Sequence, residues 1–203
     1  MNILCFGAHP DDVEAGMGGT IKRYTSGGHK VTTVAICVPD RLAQQRSGET
    51  ARAGSILGTI PIHLNHPLEK VVPNIEFVSL LDKIYREVEP DVIYTHWIHD
   101  SHQDHRTVAK ATISVARQNH CSVYMYELIP TGIVPFSFRA QRYVDISEQF
   151  GFKLAALKEH KSQVDRVGER WFRGIRGLAM YRGFQIGTLF AEAFEVVKEI
   201  GLP

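Results

Sequence analysis

Residues 2–14 read Asn2-Ile3-Leu4-Cys5-Phe6-Gly7-Ala8-His9-Pro10-Asp11-Asp12-Val13-Glu14. The first five form a short apolar run that stops at Gly7, the pattern of a buried strand bounded by a turn. At that turn the composition changes to a His, a Pro and two consecutive Asp. The same order recurs downstream, where Asp91–Thr95 reads as a strand and runs into His96-Trp97-Ile98-His99-Asp100-Ser101-His102-Gln103-Asp104-His105. In an open α/β sheet, ligands bind outside the carboxyl ends of the strands. Both polar loops fall at such ends, and they meet if the two strands are neighbours.

The segments around these loops alternate. Thr20–Thr25 belongs to a helix-length stretch, and Lys30–Val38, rich in Val and Thr, reads as a second strand after Gly27-Gly28. Ser47–Leu57 reads as a helix closed by Gly58, which suits a left-handed cap. Ile75–Val88 repeats apolar residues at helical spacing and is closed by Pro90; Thr107–Arg117 is helical and Ser122–Tyr126 strand-like. Alternating helices and nearly continuous apolar strands predict an α/β fold with a mostly parallel sheet covered by helices on both faces. Thr131–Phe138 carries the loop signals of Pro130 and Pro135, Arg142–Ile146 reads as a strand and Glu148–Val164 as a helix, while Gly168–Gly187, rich in Gly and Arg, gives no decisive pattern. Without a repeat or linker, residues 1–203 are expected to form a single domain.

Composition narrows the function. The 203 residues are 44% hydrophobic and carry a formal net charge of +1, which gives no general attraction to a polyanion, so no nucleic-acid partner is expected. Three scattered cysteines, Cys5, Cys37 and Cys121, suit a reducing compartment rather than a disulfide framework. No apolar run reaches membrane-spanning length, so a soluble, cytoplasmic protein without a membrane partner is expected. Ten histidines stand out, four of them (His96, His99, His102, His105) within ten residues.

A catalytic zinc site takes three ligands from His and carboxylate and leaves a position open. His9 and Asp12 share one turn, and His105 is the candidate third ligand from the other loop. Asp11 then stands free beside the metal, as a general base must, and His102 is placed to assist the oxyanion or the leaving amine. Asp100 and Asp104 are candidates to fix imidazole tautomers. His96 and His99 are expected at the rim or behind the ligands, and His29, His63, His66 and His120 at the surface or in turns. The glycines near Gly16-Met17-Gly18-Gly19 lack the dinucleotide fingerprint and read as close-packing positions. A G-x-S-x-G elbow is absent. Arg166, Arg170, Arg173, Arg176 and Arg182 read as a solvated or subunit-facing stretch, with contact to a substrate phosphate or carboxylate as the sharper alternative.

Ala8-His9-Pro10-Asp11-Asp12-Val13-Glu14 with Gly18-Gly19-Thr20, and Asp100-Ser101-His102-Gln103-Asp104-His105, closely resemble the two signatures of the PIG-L/LmbE-like zinc N-acetylglucosaminyl deacetylases. Arg46-x-x-Glu49, Arg52-Ala53-x-x-Ile56-Leu57-Gly58, His160-x-Ser162-Gln163 and Ala191-Glu192-Ala193-Phe194 also agree, so the resemblance spans nearly the whole chain. It implies a Rossmann-like fold, zinc on His9, Asp12 and His105, Asp11 as general base, His102 as acid or electrophilic partner and Arg46 as a substrate-binding residue. It further implies deacetylation of an N-acetylated amino sugar or its conjugate, and assembly as a trimer or hexamer. Iron(II) is an alternative to zinc, since His and carboxylate discriminate weakly among divalent ions. Val38–Gln45 departs from the family in lacking a Thr-x-Gly turn, which leaves the substrate free to differ from the usual conjugates. Two other readings are a sugar- or nucleotide-binding domain without catalysis, and a zinc hydrolase of a different bond, such as a phosphodiester.

Overall fold

In the computed structural model, residues 1–38, 42–67, 70–117, 119–128 and 135–201 are described. The chain begins with β1 (Asn2–Gly7), α1 (Asp12–Ser26), β2 (Lys30–Ala35), α2 (Ala43–Leu57), β3 (Ile60–His63) and α3 (Ile75–Val88). It continues with β4 (Val92–His96), α4 (Gln103–Ala116), β5 (Ser122–Tyr126), β6 (Arg142–Asp145), α5 (Phe150–Glu159), α6 (Lys161–Ile186) and β7 (Ala191–Lys198). The strands make one seven-stranded sheet in the order β3-β2-β1-β4-β5-β7-β6. β1 to β5 pair in parallel, and β7 runs antiparallel to both its neighbours.

Both faces are buried, which explains the nearly continuous apolar strands. Leu4, Phe6, Val34 and Ile93 pack on one face beneath Phe77 and Leu81 of α3 and Val108 of α4. Ile3, Cys5, Val31 and Tyr94 pack on the other beneath Val13, Met17 and Ile21 of α1, Leu57 of α2 and Ala156 of α5. The chain leaves β1 toward β2 on one side and β4 toward β5 on the other. The carboxyl ends of β1 and β4 therefore flank the point where the strand order reverses, and a crevice opens there.

α1 is not a plain helix. Met17 leaves helical geometry (φ −146°, ψ 23°), and the chain then resumes a second helical run. The amides freed at that restart are taken by the side chain of Glu192 on β7: Gly19 N–H donates to Oε1 at 3.0 Å and Thr20 N–H to Oε2 at 2.7 Å. Lys153 of α5 completes the group, its Nζ donating to Glu192 Oε1 at 2.6 Å. Two glycines allow the close approach: a Cβ at Gly16 would stand 2.3 Å from the Tyr126 ring, and one at Gly19 would stand 2.7 Å from Ile146.

Several boundaries differ from the sequence reading. α1 starts at Asp12 and α4 at Gln103, so Asp104 and His105 lie on a first helical turn rather than in a loop. β2 ends at Ala35; beyond it Ile36 and Cys37 donate to Gly7 O and Ala8 O at 3.1 and 2.8 Å, which guides the chain past the β1 loop. α2 begins four residues before Ser47. The continuous helix expected over Glu148–Val164 is broken at His160, and most of Gly168–Gly187 is helical within α6. β3 and β7 had no strand counterpart in the sequence reading. Residues 39–41 of the divergent Val38–Gln45 segment, and 129–134 of the Pro130/Pro135 loop, lie outside the described residues.

Candidate metal centre

The β1 loop is set by one strained residue. Asp11 has φ of 97°, a region that L side chains rarely adopt, and is buried. The turn it makes brings Asp12 Oδ2 back to accept the His9 backbone N–H at 2.7 Å. His9 Nδ1 then lies 3.4 Å from Asp12 Oδ2. From the neighbouring strand, α4 delivers His105 Nε2 to 3.4 Å from the same oxygen. Three donor atoms bound at about 2.0–2.1 Å to one tetrahedral ion stand about 3.3–3.4 Å apart. The trio therefore has the donor chemistry of a three-ligand site, with both separations from Asp12 at that spacing and all three atoms within 4.8 Å of one another.

The groups behind the trio are also in place. His105 Nδ1 is 3.2 Å from Asp100 Oδ1, and His9 Nε2 is 3.1 Å from Asp104 Oδ2. Each imidazole thus faces a carboxylate with its other nitrogen, an arrangement that orients metal-binding histidines. A second set, His9 with His102 and Asp104, could also gather around an ion, but it shares His9. His102 is the N-cap of α4, and its Nδ1 is engaged by the Asp104 backbone N–H at 3.2 Å. That engagement favours the set with Asp12 and His105.

The carboxylates of the centre set the charge of its imidazoles. Burial opposes charge on His9, yet hydrogen bonding to Asp104 and Asp12 takes its ring up to about 12. Burial likewise opposes charge on His105, and Asp12 and Asp100 take it up to about 9. Burial alone would push Asp12 up, but His105 and His96 beside it hold it well below the usual carboxylate range. Asp11 behaves oppositely. Burial and the neighbouring Asp12 push its carboxyl up to about 7, against the pull of His160, Gln163 and Arg46.

Asp11, Arg46, His102, Gln163, Arg166 and Trp171 line an open cavity of about 580 Å³ that also takes in His9, Asp12 and His105. Arg46 is buried, with Nη2 donating to Gln163 Oε1 at 2.7 Å. Arg182, grouped with Arg166 in the sequence, is separated from it here: it is buried and pairs with both carboxylate oxygens of Glu127 at 2.7 Å. His99 is exposed, whereas His96 is fully buried behind the centre, stacked on His105 at 4.0 Å and accepting the Ala8 N–H at 2.9 Å. The surface expectation for His63 does not hold, since both its ring nitrogens are buried. Gln163 and His160 were visible only through the late motif, and their place beside Asp11 and Glu14 depends on the break between α5 and α6.

Residues 4–116, more than half of the chain and the part carrying both loops, match the PIG-L family model, described as GlcNAc-PI de-N-acetylase. The chain belongs to the PIG-L family. Among its relatives, an uncharacterized deacetylase, YaiS, of Escherichia coli is 33% identical over 79% of this PIG-L chain and 90% of its own length. Diacetylchitobiose deacetylase of Thermococcus kodakarensis is 28% identical over 98% of this chain and 84% of its own. The solved structure of N,N'-diacetylchitobiose deacetylase from Pyrococcus horikoshii superposes with a TM-score of 0.84 at 25% identity, covering 97% of this chain and 83% of that one. This PIG-L protein is thus an enzyme of the hydrolase class acting on amide bonds, on the Rossmann-like fold of its relatives.

Proposed function

We propose that the protein is a zinc-dependent deacetylase of an N-acetylated amino sugar or a small conjugate of one. His9, Asp12 and His105 would hold the ion. Bound zinc supplies Lewis acidity, polarising a carbonyl and lowering the pKa of water to about 7. Asp11, buried beside the trio with a raised pKa, takes the proton of the attacking water and returns it to the departing nitrogen. The water oxygen becomes bonded to the acetyl carbon, the C–N bond breaks, and acetate and a free amine leave. His102, with Nδ1 engaged by a backbone N–H, carries the proton of its neutral ring on Nε2 and so offers a donor to the oxyanion.

The observation carrying this reading is the pairing of a three-donor centre with an unligated, buried carboxylate one residue away. A binding domain without catalysis gains nothing from a strained Asp held at such a pKa. Phosphodiester chemistry with two metals is disfavoured because, among the described residues, the two candidate ligand groups share His9. The cavity suits a sugar-sized ligand, with Trp171 as an apolar wall and Arg46 and Arg166 as polar ones.

Three buried free cysteines agree with a reducing cytoplasm, and among the described residues no helix is long and apolar enough to cross a membrane. Met180, Tyr181, Phe184 and Leu189, exposed by 52, 55, 85 and 75%, support self-association of this chain, which sedimentation velocity reads directly.

Metal analysis of the purified protein and acetate release from N-acetylglucosamine conjugates test the proposal together. Zinc near one equivalent and acetate release are expected. Asp11→Asn should keep its zinc and lose activity by about 10²–10⁴-fold. Full turnover by that variant removes Asp11 from the base role, and iron in place of zinc corrects the metal.

A further inference from the structure

Gln163 stands at the start of α6, three residues beyond the break at His160, and is 8% exposed. Its two ends face different groups. Nε2 donates to Asp11 Oδ2 at 3.1 Å, while Oε1 accepts from Arg46 Nη2 at 2.7 Å and from Arg166 Nε at 3.0 Å. Two guanidinium donors on one oxygen determine which end of the amide is which: the flipped amide would aim its N–H groups at two cations and its oxygen at a carboxylate.

The turn that presents Gln163 is itself held from two sides. Ser162 donates to Glu49 of α2 through both backbone N–H (2.9 Å) and Oγ (2.7 Å). His160 Nε2 lies 3.6 Å from Glu14 Oε1 on α1. Asp11 needs an external partner. Its other oxygen, Oδ1, is buried with no hydrogen-bond partner among the described residues, and the carboxylate torsion of an Asp is soft. Gln163 is the side chain that hydrogen-bonds to it.

We infer that Gln163 is a positioning residue for deacetylation: its amide N–H aims the Asp11 carboxylate, and its carbonyl holds Arg46 and Arg166 in the cavity wall. The inference rests on the proposed role of Asp11 as general base. Because the two functions sit on opposite ends of one side chain, they separate kinetically. Gln163→Glu keeps the shape and the acceptor for both arginines, but removes the donor and sets a like charge beside Asp11. A hydrogen bond to a charged group is worth about 1.5–3 kcal/mol, so kcat falls by about 10–100-fold while KM stays near the wild-type value. Gln163→Leu removes both ends, so kcat falls and KM rises.

The experiment compares wild type, Gln163→Glu, Gln163→Leu, Asp11→Asn and the Asp11→Asn/Gln163→Glu double variant, each loaded with zinc. Acetate release is measured from N-acetylglucosamine, N,N'-diacetylchitobiose and N-acetylglucosaminyl-inositol. Zinc content, melting temperature and the crystallographic position of the Asp11 carboxylate are read on the same proteins. The expected result is full zinc content in every variant, a displaced Asp11 carboxylate in Gln163→Glu, and a double variant no slower than Asp11→Asn alone. Wild-type kcat in Gln163→Glu overturns the inference. So does an additive loss in the double variant, or a loss of activity that follows melting temperature with kcat and KM changing alike. If Gln163→Leu folds poorly, the isosteric Gln163→Glu still decides. A zinc-loaded wild type silent on all three compounds overturns the deacetylase reading, and an active Asp11→Asn overturns the base assignment. Both outcomes differ from an active wild type with an indifferent Gln163.

Discussion

Whether a histidine in this centre acts as ligand, donor or support depends on what its second nitrogen meets. His105 and His9 face carboxylates, which leaves one nitrogen of each directed at the trio. His102 instead spends Nδ1 on capping α4 and keeps Nε2–H for the cavity. Burial, with His105 and His9 nearby, holds its pKa below the usual imidazole value, so the neutral donor form prevails at neutral pH. His102→Ala is therefore expected to cost about 10²–10³-fold in kcat, the loss typical of one oxyanion donor, with zinc content unchanged. Loss of zinc from this variant would instead make His102 a ligand. The sequence singles out His9, Asp12 and His105 because ligand chemistry restricts residue type and the two loops sit at strand ends, and the structure brings the three side chains together. His96 was expected at the rim or behind the centre together with His99, and the structure separates the two: β4 runs one residue beyond Thr95 and carries the His96 ring behind the trio, while His99 is exposed.

At the scale of elements, the restart of α1 after Met17 depends on a carboxylate from the other end of the chain. Glu192 satisfies two helix amides and is neutralised by Lys153, all four groups being buried. Glu192→Ala would leave the Lys153 ammonium buried without a partner, a loss of about 3–5 kcal/mol. A fall in melting temperature on the order of 10 °C is expected for a chain of this size, and a change within error would mean that water replaces the carboxylate. A second contact, between α2 and α6, depends on pH. Burial pushes the Glu49 carboxyl up, but hydrogen bonds from Ser162 and Gln45 outweigh it and leave the pKa below the usual value. A depressed folded-state pKa contributes stability above the unfolded value near 4.3 and loses it as pH falls through the folded value. Wild type should accordingly lose more unfolding free energy than Glu49→Gln between pH 6 and pH 3, as urea titrations would show; equal losses would remove Glu49 from the acid response. These buried acids also explain why β7 was hidden. Ala191-Glu192-Ala193-Phe194-Glu195 is neither a continuous apolar run nor a strict alternation, because Glu192 and Glu195 fall on opposite faces of the strand, and both are buried. β3 was missed because it is four exposed or half-buried residues with a Pro, which is tolerable because the strand lies at the edge of the described sheet beside β2.

At the scale of the whole molecule, the trio joins segments far apart in sequence: two donors from the β1–α1 turn and one from α4. Binding of zinc to the folded state alone raises stability by about 2.7 kcal/mol at a free concentration one hundred times its Kd. The melting temperature should rise by about 5–10 °C with added zinc, return on chelation, and stay fixed in His105→Ala. A zinc-independent melting temperature in wild type would show that this trio does not bind the ion. In the parallel half of the sheet, β1, β2, β4 and β5 were legible because they are buried on both faces. The β5-β7-β6 order was not, because it follows from long-range pairing that no local pattern encodes. That order has a consequence for the newborn chain. Glu192 lies 173 residues beyond the Gly19 amide it caps, and among the described residues β6 pairs with β7 alone. At about 5–20 residues per second, a ribosome needs roughly 9–35 s to bridge that interval. Throughout that delay the helix beginning at Asp12 has an uncapped restart, and β6, once made, has no seat in the sheet until β7 follows. The nascent enzyme can therefore assemble its parallel half early, but it closes its N-terminal helix only with nearly its last strand.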